Sequence, residues 1–499
     1  MKEDRRQVLK ILQELSDGID PDGSELSIIL AAGHGKRIKS DKSKMLHEIW
    51  GKPSVWRVCD AARKGLSSQN QIVVVGIKAI DVARALGKCR NRVFVYQEEQ
   101  RGTGDAVKVA LAHRSLHSYT GDVYILPGDM GLLTEGTVKR FRKNFQAKSC
   151  DMLVLTGIFE GKIEDNYYGR IIKPKAEENR IVVIREYRDI LAMRRDESYT
   201  LRFQGMNVSL SKEDLLNLRE FNTGVYAFKT GPLKKYINSI TADNVQGEIY
   251  ITDLIKIFND HGLCVQSFPV ENNDYVVAFN VKSVLKQMEV TFRSMVYDKL
   301  KDLVTIDDAD DFYIAEETVE RIIDMDNKTG ALDIRIGKGA SIGKDIHFGQ
   351  GLEVNKNAQL SGNVRIGKNV SIGENVVIST FPGQCIEIGD RTRIFSGNIL
   401  KGNVKLGRNA QVESGVRITG SDEWPVVIGN NVLIKGMTYI FGSVIEDDLL
   451  IVHSIVEKQY VERVVKKSGE IQPIKYILPH PEGLDSIRNL KTDTDYEDC

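Results

Sequence analysis

Leu26-Ser27-Ile28-Ile29-Leu30-Ala31-Ala32-Gly33-His34-Gly35-Lys36-Arg37 passes from a β-branched apolar run into small residues and two glycines, and Lys44 follows in the same polar stretch. The run from Leu26 to Leu30 has the length and composition of a buried strand, and its pattern stops at Ala31. A strand opening onto a glycine turn lets backbone N–H groups approach a ligand's phosphates, because no side chain blocks them. Arg37 and Lys44 bring two cations to the same mouth, which suits a polyphosphate. The spacing is not that of a P-loop, which needs Gly-Lys-Ser/Thr. Nor is it the dinucleotide fingerprint, which needs a third glycine opening a helix. An ordinary glycine turn with solvated basic side chains is the competing reading of these residues alone.

Outward from this stretch, apolar strands alternate with helical stretches up to about residue 280, the pattern of an α/β domain with a mostly parallel sheet. Gln71-Ile72-Val73-Val74-Val75, Arg92-Val93-Phe94-Val95-Tyr96 and Asp122-Val123-Tyr124-Ile125-Leu126-Pro127 read as strands. Ligands of such sheets bind beyond the carboxyl ends of the strands, where two further loops fall. In the first, Gln97 can pair with a base edge and Gly102 admits a flat ring close to the backbone. Thr103 or Asp105 reads equally well as a helix cap. In the second, Gly128-Asp129 places a carboxylate on a turn, suited either to a divalent cation carried in by phosphates or to bonding its own backbone.

The charges balance at 69 basic and 69 acidic side chains in 499 residues, so no net field draws the chain to nucleic acid or to a membrane. Its six cysteines are scattered without a Cys-x-x-Cys pair, which argues against a zinc site or a disulfide framework and for a reducing cytoplasm. The first 20 residues read as an amphipathic helix with Val8, Leu9, Ile11, Leu12 and Leu15 on one side, not as a signal segment. No stretch is long and apolar enough to span a bilayer. These features together predict a soluble cytoplasmic protein.

A second pattern occupies the C-terminal part. Ile336, Ile342, Phe348, Val354, Leu360, Ile366, Ile372 and Ile378 recur every six residues, with small or aliphatic side chains four positions after most of them. After a step of ten the series resumes at Ile388 and runs to Ile418; a second step of ten leads to Ile428, Ile434 and Ile440. A six-residue period is the signature of a hexapeptide β-helix, in which three short strands make one coil and the aliphatics stack inside. Each step of ten reads as a loop extruded at a corner.

Taken together the N-terminal motifs resemble those of the sugar-1-phosphate nucleotidyltransferases, most closely the bacterial N-acetylglucosamine-1-phosphate uridylyltransferases, over roughly residues 26–285. The resemblance rests on Leu30 to Arg37, Ser40 to His47, Gln97 to Gly104, Gly128-Asp129, Tyr168-Gly169-Arg170-Ile171, Ile184-Arg185-Glu186, Asn222-Thr223-Gly224 and Gly247 to Asp253. Ser43 stands where that family usually has proline, and residues 190–219 form a longer polar insertion. The resemblance implies transfer of a uridylyl group from UTP to a sugar 1-phosphate, with Arg37 and Lys44 catalytic and Mg²⁺ held by Asp129 and Asn280. It also implies that Ala32, Gly33, Gln97 and Gly102 hold the base, and that Thr103, Gly169, Glu186 and Asn222 hold the sugar. The family's β-helix carries an acetyltransferase at trimer interfaces. Its catalytic-histidine segment and Asn-Tyr-Asp-Gly stretch are not found here, so the expectation is a homotrimeric scaffold without acetyl transfer.

The expected organisation is therefore an N-terminal helical extension (1–25), a Rossmann-like α/β nucleotidyltransferase domain (26–282), a helical linker (283–332) with an acidic connector at Asp307–Asp311, a left-handed parallel β-helix (333–456) and a polar tail (457–499) whose end at Lys491–Asp495 is disordered. A bifunctional enzyme that also acetylates, a nucleotidyltransferase for another sugar or base, and a non-catalytic scaffold are the alternatives.

Overall fold

The computed structural model describes residues 4–33, 35–174, 177, 179–203, 206–471 and 474–475. His34, the segment Lys491–Asp495 and Cys499 therefore lie outside the described residues. The chain divides into two units, Met1–Phe292 and Arg293–Cys499.

In the first unit, seven strands lie in the order Val265–Pro269, Met152–Ile158, Glu220–Phe228, Asp122–Pro127, Glu25–Ala31, Gln71–Val75 and Arg92–Tyr96. All neighbours are parallel except Glu220–Phe228, which runs against both of its own. Two short strands, Arg170–Ile172 and Val183–Arg185, join this antiparallel strand through Phe221. Ile28, Ile29, Val73 and Val74 are all fully buried, because both faces of the sheet are covered. Helices Ser54–Gly65, Ala79–Leu86 and Glu135–Ala147 pack on one side, and Thr103–Leu111 and Asp253–Asp260 on the other.

The N-terminal helix spans Arg5–Leu15, with Asp4 as its cap, and buries Val8 and Leu12. Its exit segment binds the outer strand: Asp17 N donates to Arg92 O at 2.7 Å, and Phe94 N donates to Ser16 Oγ at 2.9 Å. The open sheet edge thereby loses hydrogen-bonding groups that could pair with another chain. Within the insertion, helices Tyr187–Ala192 and Lys212–Asn217 flank a hairpin, Ser198–Phe203 with Met206–Ser211. The insertion packs on the two short strands in a small core of Ile172, Val183, Ile190, Met193 and Leu215.

The second unit is a stack of short parallel strands in three sheets of nine, eight and seven strands among the described residues, the β-helix that the hexapeptide period predicts. Every residue of the six-residue series from Ile336 to Ile440 is buried, with Phe348 the most exposed at 8%. Ile336 pairs with Val354 and Ile342 with Leu360, one coil apart. Asn357, Asn369, Asn375, Asn409 and Asn431 take positive φ at corners, a conformation that asparagine tolerates better than most side chains. Both extruded loops leave between Val377–Ser379 and Ile386–Ile388, and between Arg417–Gly420 and Val426–Ile428. They are tied together: Gln384 Nε2 and Asn403 Nδ2 both donate to Asp422 Oδ1 at 2.9 Å.

Two boundaries differ from the sequence reading. The helix expected through the linker is two helices, Lys282–Leu300 and Glu316–Thr329; between them Thr305–Ile306 and Tyr313–Ile314 already pair with Arg335–Ile336 and Ser341–Ile342. The acidic stretch Asp307–Asp311 is thus a corner of the first coil, where Arg335 and Lys338 pair with Asp307 and Asp308. This corner lengthens the step from Ile306 to Ile314 beyond six residues, so the period is hidden there. At the other end the ladder continues past Glu457, through Tyr460–Val461 and Ile474–Lys475. No described helix is long and apolar enough to cross a membrane.

Candidate functional site

The site lies where the parallel strands end. Glu25–Ala31 runs out at Ala32 and Gly33, Arg92–Tyr96 at Gln97, and Asp122–Pro127 at Gly128-Asp129. Gly128 N donates to Leu30 O at 2.9 Å, so the aspartate turn is held against the glycine turn. Gly35 has φ +59, and a Cβ there would lie 2.7 Å from Cβ of Lys44; glycine alone lets the turn lie over the lysine stem.

Lys44 is the centre of the polar cluster. Its Nζ binds Asp129 Oδ2 and Asn280 Oδ1, the latter at 2.7 Å, joining residues 85 and 236 positions away. Lys44 is 7% exposed and Asp129 14%, and little water screens such a pair. The Phe279 ring lies 5.5 Å from the ammonium and meets the His47 ring in a T-shaped contact with centroids 6.3 Å apart. Burial, with Lys42 and Lys282 nearby, holds the His47 imidazole below its usual range and so favours its neutral form. Sequence reading gave Lys44 and Arg37 a shared role on the phosphates; the fold brings Lys44, Asp129 and Asn280 together and leaves Arg37 outside that cluster. Arg37 is exposed on the 3-10 turn Lys36–Ile38 and makes no side-chain hydrogen bond among the described residues.

The Gln97 loop is built against the Gly247–Asp253 segment. Ile249 N donates to Arg101 O at 2.7 Å, Gly104 N to Ile249 O at 2.8 Å, and Ile251 N to Thr103 Oγ1 at 3.3 Å. Gly102 takes φ +114, with Ile249 O 2.5 Å from where a Cβ would sit. Gln97 is buried, and its Nε2 donates to Asp105 Oδ2 at 2.8 Å and to Gly102 O at 3.3 Å.

Three of the four proposed sugar residues, Gly169, Glu186 and Asn222, gather around the antiparallel strand. A bulge between Asn222 and Val225 breaks its register, and Asn222 N donates to Gly169 O at 2.9 Å. The Asn222 amide donates to the Tyr226 hydroxyl at 2.8 Å and accepts from Gly224 N at 3.0 Å. A Cβ on Gly169 would come 3.1 Å from Glu186 Oε2. The surrounding protein, aided by Asp189 and Asp253, pushes the Glu186 carboxyl up to about 7, though its side chain keeps some solvent access. Thr103 stands exposed, bound to the Gly247–Asp253 segment.

Three features here escaped sequence reading. Tyr168 stacks on Phe221 with centroids 4.4 Å apart, and burial, with Asp129 nearby, raises its hydroxyl. Arg170 is fully buried, donating to Asn166 Oδ1 at 2.8 Å and to Asn166 O at 2.7 Å; it fixes the loop that carries Tyr168 and Gly169. Asp105, read as a possible cap, fixes the Gln97 amide. A charged residue in a motif was the only signal for the last two.

Residues 27–163 match the model of the MobA-like NTP transferase domain, a span that includes the glycine turn, Lys44, Gln97 and Asp129. The bifunctional protein GlmU of Bacillus licheniformis is 32% identical over 294 residues, covering 59% of this chain and 58% of that protein. The bifunctional protein GlmU of Caldicellulosiruptor saccharolyticus is 35% identical over 254 residues, covering 51% and 48%. The chain thus spans less than two thirds of the length of these relatives. A solved UDP-glucose pyrophosphorylase complexed with UDP-glucose aligns with a TM-score of 0.39 at 15% identity over 55% of this chain and 100% of that one, a likeness too loose to carry an argument.

Proposed function

We propose that the chain transfers a uridylyl group from UTP to N-acetylglucosamine 1-phosphate, releasing pyrophosphate and UDP-N-acetylglucosamine, in the cytoplasm. The observation that carries this reading is the convergence of Lys44, Asp129 and Asn280 at the strand ends, beside a glycine turn and the Gln97 loop. The sugar phosphate oxygen attacks the α-phosphorus in line and pyrophosphate leaves, so the protein's work is positioning and charge stabilisation. Asp129 and Asn280 offer two oxygens already drawn toward one cation, a donor set that fits Mg²⁺. When bound, such an ion supplies positive charge at the phosphates. Lys44 Nζ binds both oxygens, and Lys44 and Arg37 neutralise charge on the triphosphate. Ala32, Gly33, Gln97 and Gly102 receive the base; Thr103, Gly169, Glu186 and Asn222 receive the sugar.

The β-helix serves as a homotrimeric scaffold in this reading. Support comes from one outward column, in which Val377, Ile399, Tyr439 and Ile455 share a ladder interrupted by Arg417. Ile399, Tyr439 and Ile455 stay 36–45% exposed, an apolar face that further copies would cover.

The test is pyrophosphate release over a grid of nucleoside triphosphates and sugar 1-phosphates, with mass in solution by light scattering. Turnover confined to another pair overturns the substrate assignment, and a monomer overturns the scaffold.

Glu186 adds a pH dependence. An ionised carboxylate accepts charge-assisted hydrogen bonds from sugar hydroxyls, so KM for the sugar phosphate should fall as pH rises through about 7. Its folded value lies above the ordinary 4.5, so its contribution to stability is complete below 4.5 and is lost as pH rises through about 7. The Glu186→Gln variant should therefore show a flattened KM profile and a smaller loss of Tm toward alkaline pH, measured side by side with the parent.

A further inference from the structure

Gln97 is only 3% exposed, yet just one side of its amide is paired. Nε2 donates to Asp105 Oδ2 at 2.8 Å and to Gly102 O at 3.3 Å, while Oε1 has no donor among the described residues. An amide can ordinarily turn over and exchange its oxygen and nitrogen. Here the reversed orientation would set Oε1 against a carboxylate oxygen and a backbone carbonyl, two acceptors with no hydrogen between them. Asp105 therefore dictates which end of Gln97 remains for a ligand, and that end is an acceptor.

We propose that Asp105 is a specificity-determining positioning residue. By locking the Gln97 amide it selects nucleotides whose base presents an imide N–H, as uracil and thymine do at N3. Cytosine presents an unprotonated ring nitrogen at that position and would face Oε1 acceptor to acceptor. A site built to pair with a base N–H rejects the analogue lacking it, because a buried polar atom is then left unpaired. The inference rests on the reading of Gln97 as the base contact, and names the atom and the residue that choose the base. A purely structural role for Asp105 is available, since it stands in the first turn of helix Thr103–Leu111, where an acidic side chain favours the helix. That role weakens all nucleotides alike.

The test uses the full chain with Asp105→Asn and with Asp105→Leu as a second variant. The isosteric Asp105→Asn change turns the nearer of the two acceptors into an amide able to donate as well, and leaves only the longer bond to Gly102 O against reversal of Gln97. Binding of UTP, dTTP and CTP is measured by calorimetry without sugar phosphate, and kcat/KM for each nucleotide with it. The expected result is a preference for UTP over CTP that falls at least tenfold in Asp105→Asn, with dTTP changing by the same factor as UTP. A preference unchanged from the parent in either folded variant overturns the inference and leaves the base-contact reading standing. A Gln97→Ala variant that keeps the parent's affinities for all three nucleotides, or a parent chain that binds none of them, overturns both.

Discussion

Asp129→Ala is expected to lower the turnover number for pyrophosphate release by about a hundredfold or more. The substitution removes the anionic oxygen of the Asp129–Asn280 pair and also the main partner of Lys44. The residues proposed to hold the sugar phosphate lie elsewhere, at Gly169, Glu186 and Asn222 around the antiparallel strand, so its KM should move little. The Asp129→Asn variant separates the two losses, since its amide oxygen can still accept from Lys44 while the charge is gone. Its turnover is expected to stay far below that of the parent and to need more Mg²⁺ for half-maximal rate. A purified Asp129→Ala protein with near-normal turnover would sink the assignment of this carboxylate.

The second large effect is expected at Lys44. Lys44→Ala should slow the chemical step by about a hundredfold, because a cation beside the triphosphate gains most as charge redistributes in the transition state. It also leaves Asp129, itself only 14% exposed, without its counter-charge. Breaking such a pair from one side costs more than removing both members. The double variant with Asp129→Ala should therefore be more stable than the sum of the two single losses predicts, a coupling read from Tm in a mutant cycle. If Lys44→Ala raised only KM and left kcat unchanged, the lysine would be a uniform binder and its proposed role in the chemical step would fall.

The β-helix was open to sequence reading because its constraint is periodic and local. Each position facing the interior must be apolar in every coil, and coils repeat with a fixed step wherever corners are short. The same logic explains where the reading stopped. The acidic corner at Asp307–Asp311 stretches the step, and the strands Tyr460–Val461 and Ile474–Lys475 stand among polar residues, so neither end of the stack shows the period. In the N-terminal unit, runs such as Ile72–Val75 announce buried strands. Nothing in Glu220–Phe228 announces that it runs against both neighbours, because strand direction depends on the path of the connections and not on composition.

By itself, then, the amino-acid sequence determined the two architectures, their order, and the residue types at the strand ends. Burial and turn geometry act on each residue through near neighbours, and that leaves a mark in the chain. Only the tertiary structure decided that Lys44 bridges Asp129 and Asn280, that Arg170 is buried behind Tyr168, and that Asp105 holds the amide of Gln97. Hydrogen bonds form over about 3 Å and care about direction. A pair separated by 85 or 236 residues meets at that range only after the sheet has set the ends of its strands side by side.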